Sequence, residues 1–117
     1  MPELFSLIDK YFSKKDNEWQ WTYSIQFEFT FNKRIINYLT ITDHPWKKPG
    51  REGITKELIL KLLSKMNGEN LKPMKYEGTR EPYEWEVFYP DKPYVLFFWF
   101  KDNTNNHLWI RNCHRID

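Results

Sequence analysis

The stretch 21–31, WTYSIQFEFTF, carries the clearest local signal in the chain. Aromatic or aliphatic residues occupy every second position of it, and polar or charged residues occupy the positions between them. Because successive side chains of a β-strand point to opposite faces, this alternation predicts a strand with one buried face. Residues 32–33, Asn-Lys, suit a tight turn, so residues 34–42 are predicted to return as the second strand of a hairpin.

The segments on either side of this hairpin carry the apolar spacing of helices. In the first dozen residues the apolar positions follow the pattern of one helix face: Leu4, Leu7, Ile8, Tyr11 and Phe12. In the second segment Thr55 is a favourable N-cap, and Gly68 can end the helix in a left-handed conformation. The apolar residues of this second segment form a broad face: Ile54, Leu58, Ile59, Leu62, Leu63 and Met66. We therefore predict an N-terminal helix and a central core helix.

The last third of the chain is predicted to consist of strands. Large apolar residues recur at every second position of 85–89, and 90–93, PDKP, is typical turn sequence. Residues 94–100, YVLFFWF, are apolar on both faces, which is typical of a central strand. A last strand over 107–115 ends in basic residues. The predicted fold class is α+β, with an N-terminal helix and β-hairpin, a central helix, and an antiparallel sheet of about four to six strands packed on the helix.

Composition bounds the class of protein. A chain of 117 residues without a spacer is the size of one domain, which we predict to span 1–117. Aromatic residues make up 19% of the chain and supply ample apolar surface for a core. The net charge of +2 is too small to drive nucleic-acid binding through the field of the whole molecule. Any nucleic-acid site therefore requires a local basic patch.

Cysteine content and hydropathy indicate the compartment. Cys113 is the only cysteine, which excludes an internal disulfide and favours a reducing environment. The N-terminal sequence lacks an apolar core of signal-peptide type, and no window approaches the roughly 18 apolar residues that span a bilayer. We therefore expect a soluble, cytoplasmic protein without a membrane partner.

A basic loop is predicted over 44–53, HPWKKPGREG, between the hairpin and the central helix. Pro45 disfavours a helix at His44, and Pro49-Gly50 favours a turn. The loop follows a strand end, precedes a helix N-terminus, and contains three cations: Lys47, Lys48 and Arg51. An imidazole, several cations and a helix N-terminus are the ingredients of a phosphate-handling site.

From Thr40 onward the order of elements resembles the small nucleases of the barnase, EndoU, colicin and RelE superfamily, and in detail the BrnT-like toxins. The matching features are His44 after a strand, Arg51 a few residues later, the entry into a helix at 53–55, and a final strand with basic residues. The resemblance covers residues 40–117 and leaves 1–39 outside it. It implies a metal-independent endoribonuclease of toxin type that cleaves RNA by 2'-OH attack, with loop 44–51 and terminal strand 107–115 forming the site. It also implies RNA as a partner, together with a small acidic antitoxin or another protein.

Cleavage of RNA without a metal needs a base for the 2'-OH proton, an acid for the leaving 5'-oxygen, and cations for the charge that develops on the phosphate. His44 is a candidate base or acid, and a basic residue of the terminal strand is the candidate for the second proton transfer. The candidate catalytic residues are His44, Arg51, Arg111 and His114. The candidate RNA-binding residues are Trp46, Lys47, Lys48 and Arg115.

Each assignment has a structural alternative. His44 can cap a strand end, and Arg111 and Arg115 can pair with glutamates across the sheet. Trp99 and Trp109 can stack on bases or belong to the core. His107, at the start of the last strand, is most simply a turn residue.

The chain also contains side chains of the types that bind zinc: Asp43, His44, His107, Cys113 and His114. No pair of them has the spacing of a structural zinc site, so we predict no metal and no cofactor. A function of another class fits the same sequence. This is a non-catalytic small binding protein, such as a phage or plasmid inhibitor or a catalytically dead nuclease-fold protein, that uses an aromatic and basic surface.

Overall fold

The computed structural model describes residues 4–51, 53–74 and 81–116. The first half contains five strands, namely β1 (Phe5–Ser13), β2 (Glu18–Ile25), β3 (Thr30–Phe31), β4 (Arg34–Ile35) and β5 (Tyr38–Thr42). Two helices follow, α1 (His44–Lys47) and α2 (Lys56–Lys65). The chain ends with β6 (Tyr83–Phe88), β7 (Pro93–Phe100) and β8 (His107–Arg115). The predicted α+β class is confirmed in this coarse form.

The main sheet has six strands in the order β1-β2-β5-β8-β7-β6, and β3 and β4 form a separate two-stranded hairpin. The strand number lies within the predicted range, but the prediction of a purely antiparallel sheet is wrong, because β5 and β8 run parallel. After β5 the chain passes through both helices and the β6–β7 hairpin before β8 returns to lie between β5 and β7. The last strand is therefore an interior strand of the sheet.

The predicted N-terminal helix is wrong, because this segment forms β1 at the edge of the sheet. The apolar residues that gave the helical spacing are between 37% and 56% exposed: Leu4, Leu7, Ile8, Tyr11 and Phe12. β1 pairs with β2 along its length, with a bulge between Leu7 and Asp9. The pairing gives the backbone N–H and C=O groups partners, and aromatic and β-branched residues favour such an extended conformation over a helix.

The turn predicted at Asn32-Lys33 is confirmed. Both residues have positive φ, 52° and 62°, as a two-residue type I′ hairpin loop requires. The strand predicted over 21–31 is interrupted, since β2 ends at Ile25 and β3 begins at Thr30. β2 pairs antiparallel with β5, so the predicted return of the chain beside this strand is correct.

The central helix is confirmed in position and in its N-terminal cap. The Thr55 side chain accepts a hydrogen bond from the backbone N–H of Leu58 at 3.1 Å. Gly68 has φ of 89°, the left-handed conformation predicted just beyond the helix. The apolar residues of this segment lie in the same hydrophobic cluster as the strands: Ile59, Leu62, Leu63 and Met66.

The register of the sheet separates two faces. On the core face, Ile41, Ile110 and Phe98 lie side by side on β5, β8 and β7 and are fully buried. On the polar face, the adjacent row contains Thr22, Thr40, Trp109 and Trp99. Alternation along the strands places His107 and Arg111 on the polar face as well.

The segment after β5 differs from the loop that Pro45 predicted, because α1 begins at His44. Proline is tolerated in the first turn, where its missing N–H would have no intrahelical partner. Within 4–51, 53–74 and 81–116, no helix has the length and apolar character needed to cross a membrane.

Candidate functional site

The parallel pairing of β5 and β8 brings the two basic segments to the same end of the sheet. Ile41 lies beside Ile110, so β8 continues past the end of β5 at Thr42. α1 follows β5 immediately and contacts β8. Two parallel strands have their C-terminal ends at the same end of the sheet, whereas two antiparallel strands have them at opposite ends. The basic segment 44–51 therefore lies near the terminal residues of β8.

Arg51 ties these segments together through its guanidinium. Its Nη1 lies 3.0 Å from Asn112 Oδ1, and 3.4 Å from the carbonyl oxygens of both Cys113 and Pro45. These acceptors come from α1 and from the part of β8 that extends beyond β5. A guanidinium offers five N–H donors in a fixed plane, so one side chain can bond several acceptors. Arg51 thus has a clear structural role, and Asn112 is a partner that sequence reasoning missed.

His44 is half-buried at the start of α1. Burial lowers the pKa of its imidazole, and the positive charges of Arg111, Lys48 and Arg51 lower it further. The Asp43 carboxylate opposes this shift. The imidazole of His44 is therefore predominantly neutral near pH 7 and able to accept a proton.

His114 lies on β8, and its ring stacks on Phe97 with centroids 6.1 Å apart. Burial lowers the pKa of His114, Arg51 and Lys48 act in the same direction, and Glu84 opposes them. Its Nδ1 is buried and has no hydrogen-bond partner among the described residues. Lys48 and Arg51 thus act electrostatically on both His44 and His114, which are far apart in sequence.

Arg111 forms an ion pair with Glu18 at 3.3 Å, and the Glu18 side chain is almost entirely buried. This contact is the cross-sheet pairing considered as the structural alternative for Arg111. Glu18 begins β2, distant from Arg111 in sequence, and no local pattern marks it as a partner. Arg111 also occupies the position where the register of β7 and β8 shifts.

Two of the predicted RNA-binding residues have structural contacts. Lys47 Nζ donates to the Asn17 carbonyl at 2.7 Å and lies 3.3 Å from Asp43 Oδ2. The ring of Trp46 lies 5.6 Å from that of Trp21 and packs against the core. Lys47 and Trp46 therefore contribute to holding the first turn after β5.

The other two predicted RNA-binding residues, Lys48 and Arg115, are exposed. A cleft of about 410 Å³ opens beside Arg115. Its lining combines β7 and β8 with the segment between α1 and α2: Gly50, Arg51, Gly53, Ile54, Tyr94, His114 and Arg115. The cleft thus brings an imidazole and two guanidinium groups to one solvent-accessible space.

His107 and Cys113 lie outside this arrangement. His107 is the first residue of β8, in agreement with the strand predicted over 107–115, and its Nε2 lies 2.7 Å from Thr40 Oγ1. Thr40 Oγ1 lies 2.9 Å from Thr22 Oγ1. Burial, together with the charge of Lys101, lowers the pKa of His107 to about 4. These contacts give His107 a structural role on the polar face.

Cys113 is fully buried, and burial raises its thiol pKa to about 12. The thiol therefore stays protonated and is a poor nucleophile. Within the described residues, no group of three or more His, Cys, Asp or Glu side chains is arranged to hold a metal ion.

Comparisons with protein-family models, with curated proteins and with solved structures find no significant match to this chain.

Proposed function

We propose that the chain is a metal-independent endoribonuclease of toxin type that acts on RNA in the cytoplasm. The observation that carries the proposal is that the positive charges of Lys48 and Arg51 lower the pKa of both His44 and His114. A pair of imidazoles beside shared cations suits general acid–base catalysis at a phosphate, because each proton transfer has a candidate group and the phosphate has counter-charges.

In the proposed reaction, neutral His44 accepts the proton of a ribose 2'-OH as the 2'-oxygen attacks the adjacent phosphorus. The bond between phosphorus and the 5'-oxygen breaks, and protonated His114 donates its proton to that oxygen. The products carry a 2',3'-cyclic phosphate and a 5'-OH. Burial and the cations lower the pKa of both imidazoles, so each is mostly neutral near pH 7, and the reaction uses the fraction of molecules in which His114 is protonated.

The cations have different proposed roles. Lys48 is exposed, so its ammonium can approach a phosphate oxygen directly. Arg51 and Arg111 already have partners in Asn112 and Glu18, so we assign them to orienting the site and to electrostatic stabilisation of the developing charge. Arg115 lines the cleft beside His114 and is suited to bind a neighbouring phosphate.

The test is incubation of purified protein with 5'-labelled RNA in EDTA, followed by analysis of the product ends. We expect cleavage with 2',3'-cyclic phosphate ends, and a rate at least about 100-fold lower for His44→Ala and for His114→Ala. His107→Gln is the matched control, because His107 belongs to the threonine network on the polar face. Circular dichroism checks that each variant is folded.

Two results would overturn the proposal. One is intact RNA after incubation with the folded wild-type protein. The other is cleavage by His44→Ala and His114→Ala at the wild-type rate.

A second candidate, a non-catalytic binding protein, is favoured by β1. This edge strand carries apolar side chains that are about half exposed, including Leu7, Ile8 and Tyr11. Edge strands can pair with a strand of another protein, and exposed apolar patches often mark interfaces. An antitoxin or a target protein could bind there. This candidate predicts that the folded wild type leaves RNA intact, and that Tyr11→Lys abolishes capture of its protein partner.

A further inference from the structure

A second cleft, of about 360 Å³, lies on the polar face of the sheet. Trp99 on β7 and Trp109 on β8 are direct neighbours in the sheet register, and both line this cleft. Lys101 and Arg111 line it as well. Side by side on adjacent strands, two partly exposed indoles offer a broad apolar surface.

Arg111 connects this cleft with the cluster around His44. It lines the cleft, and its positive charge lowers the pKa of His44. Arg111 therefore lies at the tryptophan cleft and within electrostatic range of the candidate catalytic histidine. A ligand that extends from the cleft past Arg111 meets aromatic surface first and cations next.

The charges in the cleft indicate which part of such a ligand lies there. Three carboxylates, Asp16, Glu18 and Asp102, line it together with the two cations, and Glu18 is already paired with Arg111. Carboxylates repel a phosphate, whereas they accept hydrogen bonds from base amino groups and sugar hydroxyls. The His44 cluster has the opposite character, because the cations Lys48 and Arg51 act there. The two regions together match a ligand with a ring at one end and a phosphate at the other.

We propose that this cleft is a base-binding subsite for single-stranded RNA, in which the base next to the reacting phosphate stacks on Trp109 and Trp99. The assignment of RNA as the ligand rests on the proposed function, whereas the stacking subsite is inferred from the two tryptophans of the polar face. A base can stack on a protein side chain only when it is unpaired, so the subsite selects single strands over duplexes.

The same strand continues the surface away from the site. His107, Trp109 and Arg111 occupy alternate positions of β8, which places successive side chains roughly 6.6 Å apart on one face. The ring of Tyr38 lies 5.9 Å from that of His107. These two rings contact each other and His107 is held by Thr40, so the proposed subsite is limited to Trp99 and Trp109.

The test measures binding of a fluorescein-labelled, fully 2'-O-methylated single-stranded oligonucleotide by fluorescence anisotropy. This probe has no 2'-OH and is not cleaved, so its binding is independent of catalysis. We expect Trp109→Ala and Trp99→Ala each to weaken binding about 5- to 100-fold, the range of losses for one stacked base. Trp19→Ala is the matched control, since Trp19 is a partly exposed tryptophan outside the cleft, and should bind within about twofold of the wild type.

Two further measurements keep the proposal testable if a tryptophan-to-alanine variant does not fold. Trp109→Phe retains an aromatic ring and should recover part of the affinity. In the wild type, a base-containing oligonucleotide should quench tryptophan fluorescence more than an abasic one of the same length. Wild-type affinity in folded Trp109→Ala and Trp99→Ala would overturn the proposal, as would equal affinity for the abasic probe.

Binding of a neutral oligosaccharide or a peptide in the cleft, without binding of the oligonucleotide, would also overturn the proposal. Intact RNA after incubation with the folded wild type, together with the expected stacking, would refute only the proposed nuclease. The reverse result would refute only the subsite.

Discussion

The two faces of the main sheet differ most clearly along the single strand β8. Ile110 on the core face is fully buried in the hydrophobic cluster. Its neighbours Trp109 and Arg111 are partly exposed on the polar face, where Arg111 is paired with Glu18. The core face is stabilised by removing apolar surface from water, whereas the polar face depends on particular hydrogen-bond and charge partners.

Burial alone does not separate these faces. Thr40 is as buried as the neighbouring isoleucines of β5 and β8, yet its hydroxyl contacts Thr22 and His107. Buried polar groups are tolerated when they find such partners. The two faces therefore differ in the interactions that stabilise their side chains: apolar burial on the core face, and hydrogen bonds or ion pairs on the polar face. Mutations on each face should show this difference.

The largest expected effect is on the core face. Ile110→Ala should lower the free energy of unfolding by about 2–5 kcal/mol, because it removes fully buried apolar atoms and leaves a cavity. Trp109→Ala, one residue earlier on the polar face, should cost clearly less. Urea unfolding followed by circular dichroism measures both. Equal losses would show that the polar face is part of the core.

The next effect is a pH dependence on the polar face. The folded-state pKa of His107 is about 4, below its ordinary value of 6.5, so the unfolded chain binds more protons between these values. Stability should therefore be retained above pH 6.5 and fall as the pH drops towards 4. Between pH 7.5 and 5 this linkage amounts to about 2 kcal/mol.

Urea titrations of wild type and His107→Gln at several pH values test this dependence. The variant should lose distinctly less stability on acidification. A smaller slope in the same direction should remain, because the pKa values of His44 and His114 are also lowered. Identical slopes in both proteins would show that His107 titrates normally.

The smallest effect is expected in β1, where side chains on the core-face side are exposed like those on the polar face. Leu7 lies opposite Tyr23 and thus on the core-face side, but it is half exposed at the edge of the sheet. Leu7→Ala should change the free energy of unfolding by less than about 0.5 kcal/mol. Leu62→Ala, at a fully buried position of α2, is the matched comparison and should cost several times more. Similar losses would mean that β1 is packed into the core.

Two segments with the same apolar spacing show how far the fold could be predicted. The spacing over 54–66 correctly predicted α2, where Thr55 caps the helix and most of the apolar residues are buried. The spacing in the first dozen residues predicted a helix wrongly, because pairing with β2 decided the conformation there. Periodicity identifies a helix only when the apolar stripe finds a surface that buries it.

The candidate site was predictable to a similar extent. Its histidines and cations were visible as basic residues at two strand ends. The acceptors of Arg51 and the pairing of Arg111 with Glu18 were not, since both link residues far apart in the chain. No local pattern could show that Trp46 and Lys47 would contact Trp21 and Asn17.

The sequence by itself determined the local elements, namely the alternation of β2, the Asn32-Lys33 turn and the capped helix α2. These depend on backbone preferences and on contacts between near neighbours in the chain. Only the tertiary structure decided that β1 is a strand and that β8 lies parallel to β5. Strand pairing draws its hydrogen bonds from residues distant in sequence, and this long-range choice brings His44 and His114 under the influence of the same cations.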